Sequence, residues 1–204
     1  MNPTTGTGPT GGPTGGPAGG AASGPSGEPV GEPVGGTVDG AVDGAGAFLP
    51  LLDPPVYVVT AEARGDRAGC LVGFGSQCSI RPERFAVWLS HGNRTHRVAS
   101  RATALAVHLL PPDDAGRALA RLFGEHTGDE IDKFARASWR PGPAGVPVLT
   151  AAAAWFAGRV VGRVEGGDHT AFLLDPLSGD GADPPPPAVL TLRDVLGLDA
   201  GHPA

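Results

Sequence analysis

Two short strings in this 204-residue chain carry side chains that could do chemistry. Asn93-Arg94-Thr95-His96 places an amide, a guanidinium, a hydroxyl and an imidazole on consecutive residues. If a helix starts there, its free backbone amides join them and the set can seat a phosphate. The plain alternative is a helix cap with two solvated neighbours. The second string, Asp168-His169-Thr170, follows Glu165-Gly166-Gly167, a hairpin-turn signal. A histidine on such a tip can contact a reacting ligand or give up a proton near neutral pH. It can equally be an exposed turn residue. Lys133 is the only lysine and stands in Asp132-Lys133-Phe134. It is either a charge for an anionic cofactor or half of a surface ion pair.

Other strings exclude more than they support. Gly73-Phe74-Gly75 has Cys78 where a dinucleotide fingerprint needs its third glycine, and Pro82 follows in place of a helix. The pyrophosphate of a Rossmann site rests on that helix start, so this reading is rejected. These glycines mark either a bend or bulge in a strand, or a place where a flat ring can lie against bare backbone. Ser76 and Ser79 lie outside any GxSxG string, and no partner acid and histidine can be named for them. Cys78 lacks an evident cation to form a thiolate. Cys70 and Cys78 fall eight apart in what reads as one strand, too far for a disulfide. No CxxC pair or His/Cys cluster suggests zinc.

The elements that must position these residues are mostly strands. Residues 56–61 (VYVVTA) are β-branched and follow two prolines. Arg64-Gly65-Asp66 turns the chain into a second strand, read as 69–80, and Arg81-Pro82-Glu83 breaks it. Residues 85–90 (FAVWLS) form a third strand. Asn93 caps a short helix to about residue 101, and 104–110 (ALAVHLL) is again a strand. Pro111-Pro112-Asp113-Asp114 opens the clearest helix, with Ala115, Ala118, Leu119, Leu122 and Phe123 on one face. Residues 129–135 offer one helical turn, and 138–146 read as a Gly/Pro loop. Residues 153–164 and 169–174 read as a hairpin, and 189–196 as a last strand running into a helical turn. Many strands, few helices and short links indicate a small barrel with helices at its edges.

Composition divides the chain in two. Residues 1–46 hold 16 Gly and 7 Pro, with short imperfect repeats, and cannot bury enough side chain to offset their ordering entropy. A disordered tail, residues 1–46, followed by one domain, 47–204, is expected. The first basic residue is Arg64, and the whole net charge of −6 lies before it. A balanced domain offers no basic stripe for a nucleic-acid backbone. With no basic leader and no apolar run of membrane length, a soluble cytoplasmic protein is expected.

Certain motifs then stand in a familiar order: Ser79-Ile80-Arg81-Pro82 at a strand end, the loop Asn93-Arg94-Thr95-His96, the strand ALAVHLL, and LARLFGE closing the long helix. Asp132-Lys133-Phe134, Gly145-Val146-Pro147-Val148-Leu149 and Gly167-Asp168-His169-Thr170 follow. Over about residues 54–178 the chain resembles the flavin reductase-like family. The resemblance implies a mainly β fold, an FMN-binding split β-barrel of Greek-key type with a few peripheral helices. It implies a homodimer with flavin near the subunit interface, FMN or alternatively FAD, and NADH or NADPH as hydride donor. Many members supply reduced flavin to a separate monooxygenase, so such a partner is expected, and no nucleic acid or membrane. By position, Val72, Gly73, Phe74, Ser76, Gln77, Cys78 and Ser79 would line the isoalloxazine and ribityl chain. Asn93, Arg94, Thr95 and His96 would hold the phosphate side. Lys133 matches the family's basic loop residue, and His169 the histidine beside the nicotinamide. A flavin-holding or electron-relay protein of the same fold, and an oxidase of the related pyridoxamine-phosphate type, are the alternatives.

Overall fold

The structure, a computed structural model, describes residues 45–185, 187–199 and 201. The first 44 residues of the expected tail lie outside the described residues.

β1 (Tyr57–Ala63) and β2 (Asp66–Val72) form a tight hairpin. Its two-residue turn puts Arg64 at φ 59° and Gly65 at φ 84°, the primed-turn geometry that matches strand twist. The remaining strands are β3 (Gly75–Ile80), β4 (Glu83–Ser90), β5 (Ala104–Leu109), β6 (Trp139–Pro141), β7 (Pro147–Leu149), β8 (Ala154–Glu165) and β9 (His169–Gly181). Seven of them make one antiparallel sheet in the order β2-β1-β5-β8-β9-β4-β3. The chain therefore passes from one edge of the sheet to the other between β2 and β3. The sheet curls so that this passage closes it, with Trp88 N–H donating to the Phe74 carbonyl at 3.0 Å. The result is a barrel whose seam is split at Gly73-Phe74.

The apolar run at the start of β1 is buried on both faces. Tyr57, Val59 and Ala61 point into the barrel with Val87, Leu89, Leu105, Phe172 and Leu174. Val56 and Val58 point outward and are covered by Leu119 and Phe123 of α2 (Asp114–Gly124), with Phe134, Leu149 and Leu190. A strand covered on both sides loses the in/out alternation of a half-buried one. Two shorter helices complete the fold, α1 (Arg94–Ala99) and α3 (Leu192–Val195). Asn93 caps α1 by accepting from Thr95 N–H at 3.0 Å.

Four elements depart from the sequence reading. Residues 69–80 are two strands, because the backbone must leave the β1 side at Gly73 to pair with β4. Cys70 and Cys78 thus lie on different strands, and both are free thiols. Residues 138–146 contain β6 and a 3₁₀ turn, Pro143–Gly145, which returns the chain to pair β6 with β7. β9 runs on to Gly181 because β8 offers partners as far as Ala154. Residues 189–191 make a single bridge, Pro55 to Thr191, in place of a strand.

Gly116 stands in the first turn of α2, where a Cβ would lie 1.9 Å from the Pro111 carbonyl oxygen. Helix propensity alone favours alanine over glycine by ~1 kcal/mol. The clash reverses the sign, and Gly116→Ala is expected to destabilise the protein by about 2 kcal/mol in urea unfolding. No helix among the described residues is long and apolar enough to cross a membrane.

Candidate functional site

The split in the barrel seam creates the site. At the turn from β2 to β3, Phe74 is thrown outward and its side chain is largely exposed. Across the gap, the β8–β9 hairpin tip carries His169, whose ring lies 5.5 Å from that of Phe74. Phe74, Trp88, Gly166, Asp168 and His169 line an open hollow of about 420 Å³. Gly166 is required there, since a Cβ on it would meet the Trp88 ring at 2.3 Å. Asp168 Oδ1 lies 2.7 Å from His169 Nδ1. That hydrogen bond, the largest influence on it, holds the Asp168 carboxyl below the usual range. Because the carboxylate accepts, Nδ1–H of His169 must donate, which leaves Nε2 as the nitrogen outside this bond.

Beside the hollow runs β3, an edge strand that pairs only with β4. Ser76, Gln77 and Cys78 are exposed along it. The register slips by one residue between Gln77 and Ser79, so Cys78 is the extra residue of a bulge. Gln77 Nε2 donates to the Ser79 carbonyl at 3.2 Å, and Ser79 Oγ to the Pro82 carbonyl at 2.6 Å. Val72, by contrast, buries its side chain in the barrel and offers the seam only backbone. The glycines have a packing cause. A Cβ on Gly73 would meet Leu192 at 3.3 Å, and one on Gly75 would meet Tyr57 at 3.1 Å. Their missing side chains face protein, so the bend-and-bulge reading accounts for them.

A second hollow, about 350 Å³, lies against β2 and is lined by Asp66, Gly69, Arg94, Gly128, Asp132 and Lys133 among others. It shares no lining residue with the first. Two of its cations, Arg94 and Lys133, already have internal partners. Arg94 donates to the Gly128 carbonyl at 2.6 Å and pairs with Asp66, which also holds Arg101 at 2.9 Å. Lys133 is only 4% exposed, and its Nζ donates to the carbonyls of Gly69 and Phe123, each at 3.1 Å. Burial lowers its pKa. It is therefore neither half of a surface ion pair nor a loose charge on a loop. Thr95 is buried as well, and burial pushes the thiol of Cys70 up to about 11. Asn93 spends its side chain on the cap. His96 turns toward the barrel, with its ring 4.9 Å from that of His91 and its Nε2 3.0 Å from Thr170 Oγ1.

Of the residues picked out by sequence, the structure thus brings Phe74 and His169 together and sets Arg94 and Lys133 on a separate hollow. Trp88, Glu165, His91 and Asp66 were missed. One signal was available: a four-residue hairpin loop puts Glu165 opposite Thr170, and these two do pair across the strands. Among the described residues no cluster of His, Cys, Asp and Glu could hold a metal ion.

Comparison with known proteins agrees with this architecture. The family described as Flavin reductase like domain matches residues 51–194. The ferric-chelate reductase (NAD(P)H) of Archaeoglobus fulgidus is 30% identical over 119 residues, covering 58% of this chain and 70% of that protein. The FMN reductase (NADH) RutF of Methylorubrum extorquens is 30% identical over 114 residues, 56% of this chain and 54% of that protein, so the chain spans about half its length. Among solved structures, an FMN-binding protein from Thermus thermophilus superposes with a TM-score of 0.65 at 22% identity. That match covers 77% of this chain and 92% of the other and shows a shared fold. With the split barrel, the matched span and the relatives in agreement, the chain belongs to the flavin reductase-like family.

Proposed function

We propose that the protein is an NAD(P)H-dependent flavin reductase working with FMN, with FAD as the alternative. The observation that carries this is the hollow at the barrel seam, with Phe74, Trp88 and His169 around it and the free rim of β3 alongside. These residues fit a flavin. An edge strand presents peptide N–H and C=O groups to the polar rim of a planar ring, and aromatic walls cover its faces. Phe74, Ser76, Gln77, Cys78 and Ser79 would hold the ring and ribityl chain, with Val72 and Gly73 contributing backbone. Bound there, the flavin supplies the hydride acceptor for a stacked nicotinamide. The protein's part is position: Phe74 and His169 bound the space, and Asp168 sets the His169 tautomer.

The phosphate side is proposed at Asn93, Arg94 and Thr95, with Lys133 behind them; His96, read there from sequence, has its Nε2 on Thr170 instead. The charge of this side is the guanidinium of Arg94, for which Asp66 competes. Asp66→Asn is therefore expected to tighten FMN binding by up to about fivefold, the scale of one partly exposed ion pair. Quenching of FMN fluorescence on titration measures it, and weaker binding in the variant would place the phosphate elsewhere. The biological unit is read as a homodimer, with a monooxygenase as the consumer of reduced flavin. The domain is read as residues 47–204.

The test is direct. Purified protein should oxidise NADH or NADPH when FMN or FAD is added, with loss of absorbance at the nicotinamide band. Failure with every pairing of flavin and nucleotide overturns the reading. Flavin binding without turnover would favour the flavin-holding alternative.

A further inference from the structure

One hydroxyl group behind the His169 tip is shared by three side chains. Thr170 Oγ1 lies 2.9 Å from His91 Nε2, 3.0 Å from His96 Nε2, and 3.1 Å from each carboxylate oxygen of Glu165. A hydroxyl has one proton to give and two lone pairs with which to accept. An ionised Glu165 has no proton to offer, so Thr170 must donate to it. Both imidazoles must then donate, each through Nε2–H. Any other assignment sets lone pair against lone pair. His91 Nε2 also lies 3.2 Å from Glu165 Oε2, so its proton is shared.

These side chains join separate elements. His91 follows β4, His96 stands in α1, and Glu165 and Thr170 are the last and second residues of β8 and β9. Between Glu165 and Thr170 lies only the tip, Gly166 to His169. The backbone closes the same loop, since His91 N–H donates to the Asp168 carbonyl and Gly166 N–H to the His169 carbonyl, both at 2.9 Å. Thr170 is 2% exposed, so its hydroxyl cannot exchange these partners for bulk water.

We propose that His91, His96, Glu165 and Thr170 form a hydrogen-bonded clasp that positions the hairpin tip, and with it His169, against the barrel seam. All four are positioning residues, acting through the tip. Burial, then the neighbouring His91, lowers the pKa of His96, and Arg163 and Arg97 add to this against Glu165. His96 thus stays neutral at pH 7, with its one proton on Nε2 toward Thr170. The inference about catalysis rests on the flavin reductase reading; the inference about the clasp itself does not.

The test keeps the two apart. In protein with ¹⁵N-labelled histidine, NMR should show both His91 and His96 as Nε2–H tautomers at pH 7.5. In Thr170→Val the His96 pattern should change and the His169 ring resonances should shift, while Thr170→Ser should restore both. Glu165→Ala, at an exposed side chain, provides a second variant if valine perturbs folding, and it should also shift His169. With NADH and FMN, Thr170→Val is expected to lower kcat about tenfold with little change in the flavin Kd. Nδ1–H tautomers in the wild type, or His169 resonances untouched in both Thr170→Val and Glu165→Ala, would overturn the clasp. An altered His169 with undiminished kcat would overturn its role in positioning for catalysis. A wild type with the expected tautomers but no turnover would leave the clasp standing and remove the reductase reading.

Discussion

Between pH 7 and pH 4.5 the protein is expected to lose about 2 kcal/mol of folding stability through His108 alone. This histidine is fully buried between β1, β5 and β7. Its Nδ1–H donates to the Val58 carbonyl at 2.8 Å, and its Nε2 accepts from Leu149 N–H at 3.1 Å. Both nitrogens are thus committed in the neutral ring, and burial pushes the pKa from 6.5 down to about 4. The sign follows from linkage. The unfolded chain takes up the proton near pH 6.5, while the folded protein refuses it until about pH 4. Protons therefore favour the unfolded state throughout that window. Stability is fully present above pH 6.5 and is lost as the pH falls through the window, with no further loss from this group below it. Urea unfolding at pH 7.0, 5.5 and 4.5 measures the loss. Carboxylates add their own slope, so the comparison is with His108→Gln, whose amide is neutral at every pH. That variant should be less stable at pH 7 and show a slope flatter by the stated amount. Parallel slopes would sink the idea.

His108 also shows why some of this protein was legible in its sequence and some was not. It reads as a plain member of the apolar strand ALAVHLL, and that placement is right. What the ring bonds to depends on β1 and β7, which are distant in sequence, and β7 is three residues of a Pro/Gly-rich stretch with no periodicity to detect. The same division holds elsewhere. The β-branched run at Val56, the Asn93 cap and the apolar face of α2 are local signals, and each marks the element found there. The break at Gly73-Phe74 is not local. It exists because β2 belongs beside β1 and β3 beside β4, on opposite edges of the sheet. Reading one strand across it hid the split that forms the candidate site. Side-chain chemistry suffered in the same way. Lys133, Thr95 and Arg94 are the residue types a phosphate needs, but type does not reveal burial. In the fold Thr95 is buried, and the donors of Lys133 and Arg94 reach Gly69, Phe123, Gly128 and Asp66. The tip that carries His169 was legible because a hairpin is a local structure, and the Glu165-Gly166-Gly167-Asp168 turn can be read directly.

The largest functional effect is expected at that residue. Replacing His169 by Ala should lower the rate of NADH or NADPH oxidation with FMN by roughly 100-fold, the scale set by misplacing reacting groups by about 1 Å. Flavin affinity should change little, because the polar partner of His169 is Asp168 and none of the polar groups proposed to hold the flavin. The two effects can be separated by steady-state turnover and by FMN fluorescence titration on the same sample. Asp168→Asn is the informative companion. It keeps the ring in place but cannot hold the Nδ1–H tautomer as a carboxylate does, so the loss should be smaller than for His169→Ala. A flavin-holding protein without catalysis makes a different forecast: negligible wild-type turnover, and neither variant distinguishable from it. Loss of flavin binding in His169→Ala would move the ring toward the tip and away from β3. Equal turnover in wild type and variant would leave the hairpin a structural feature only. The reductase reading thus depends on a rate that falls at one histidine while flavin stays bound.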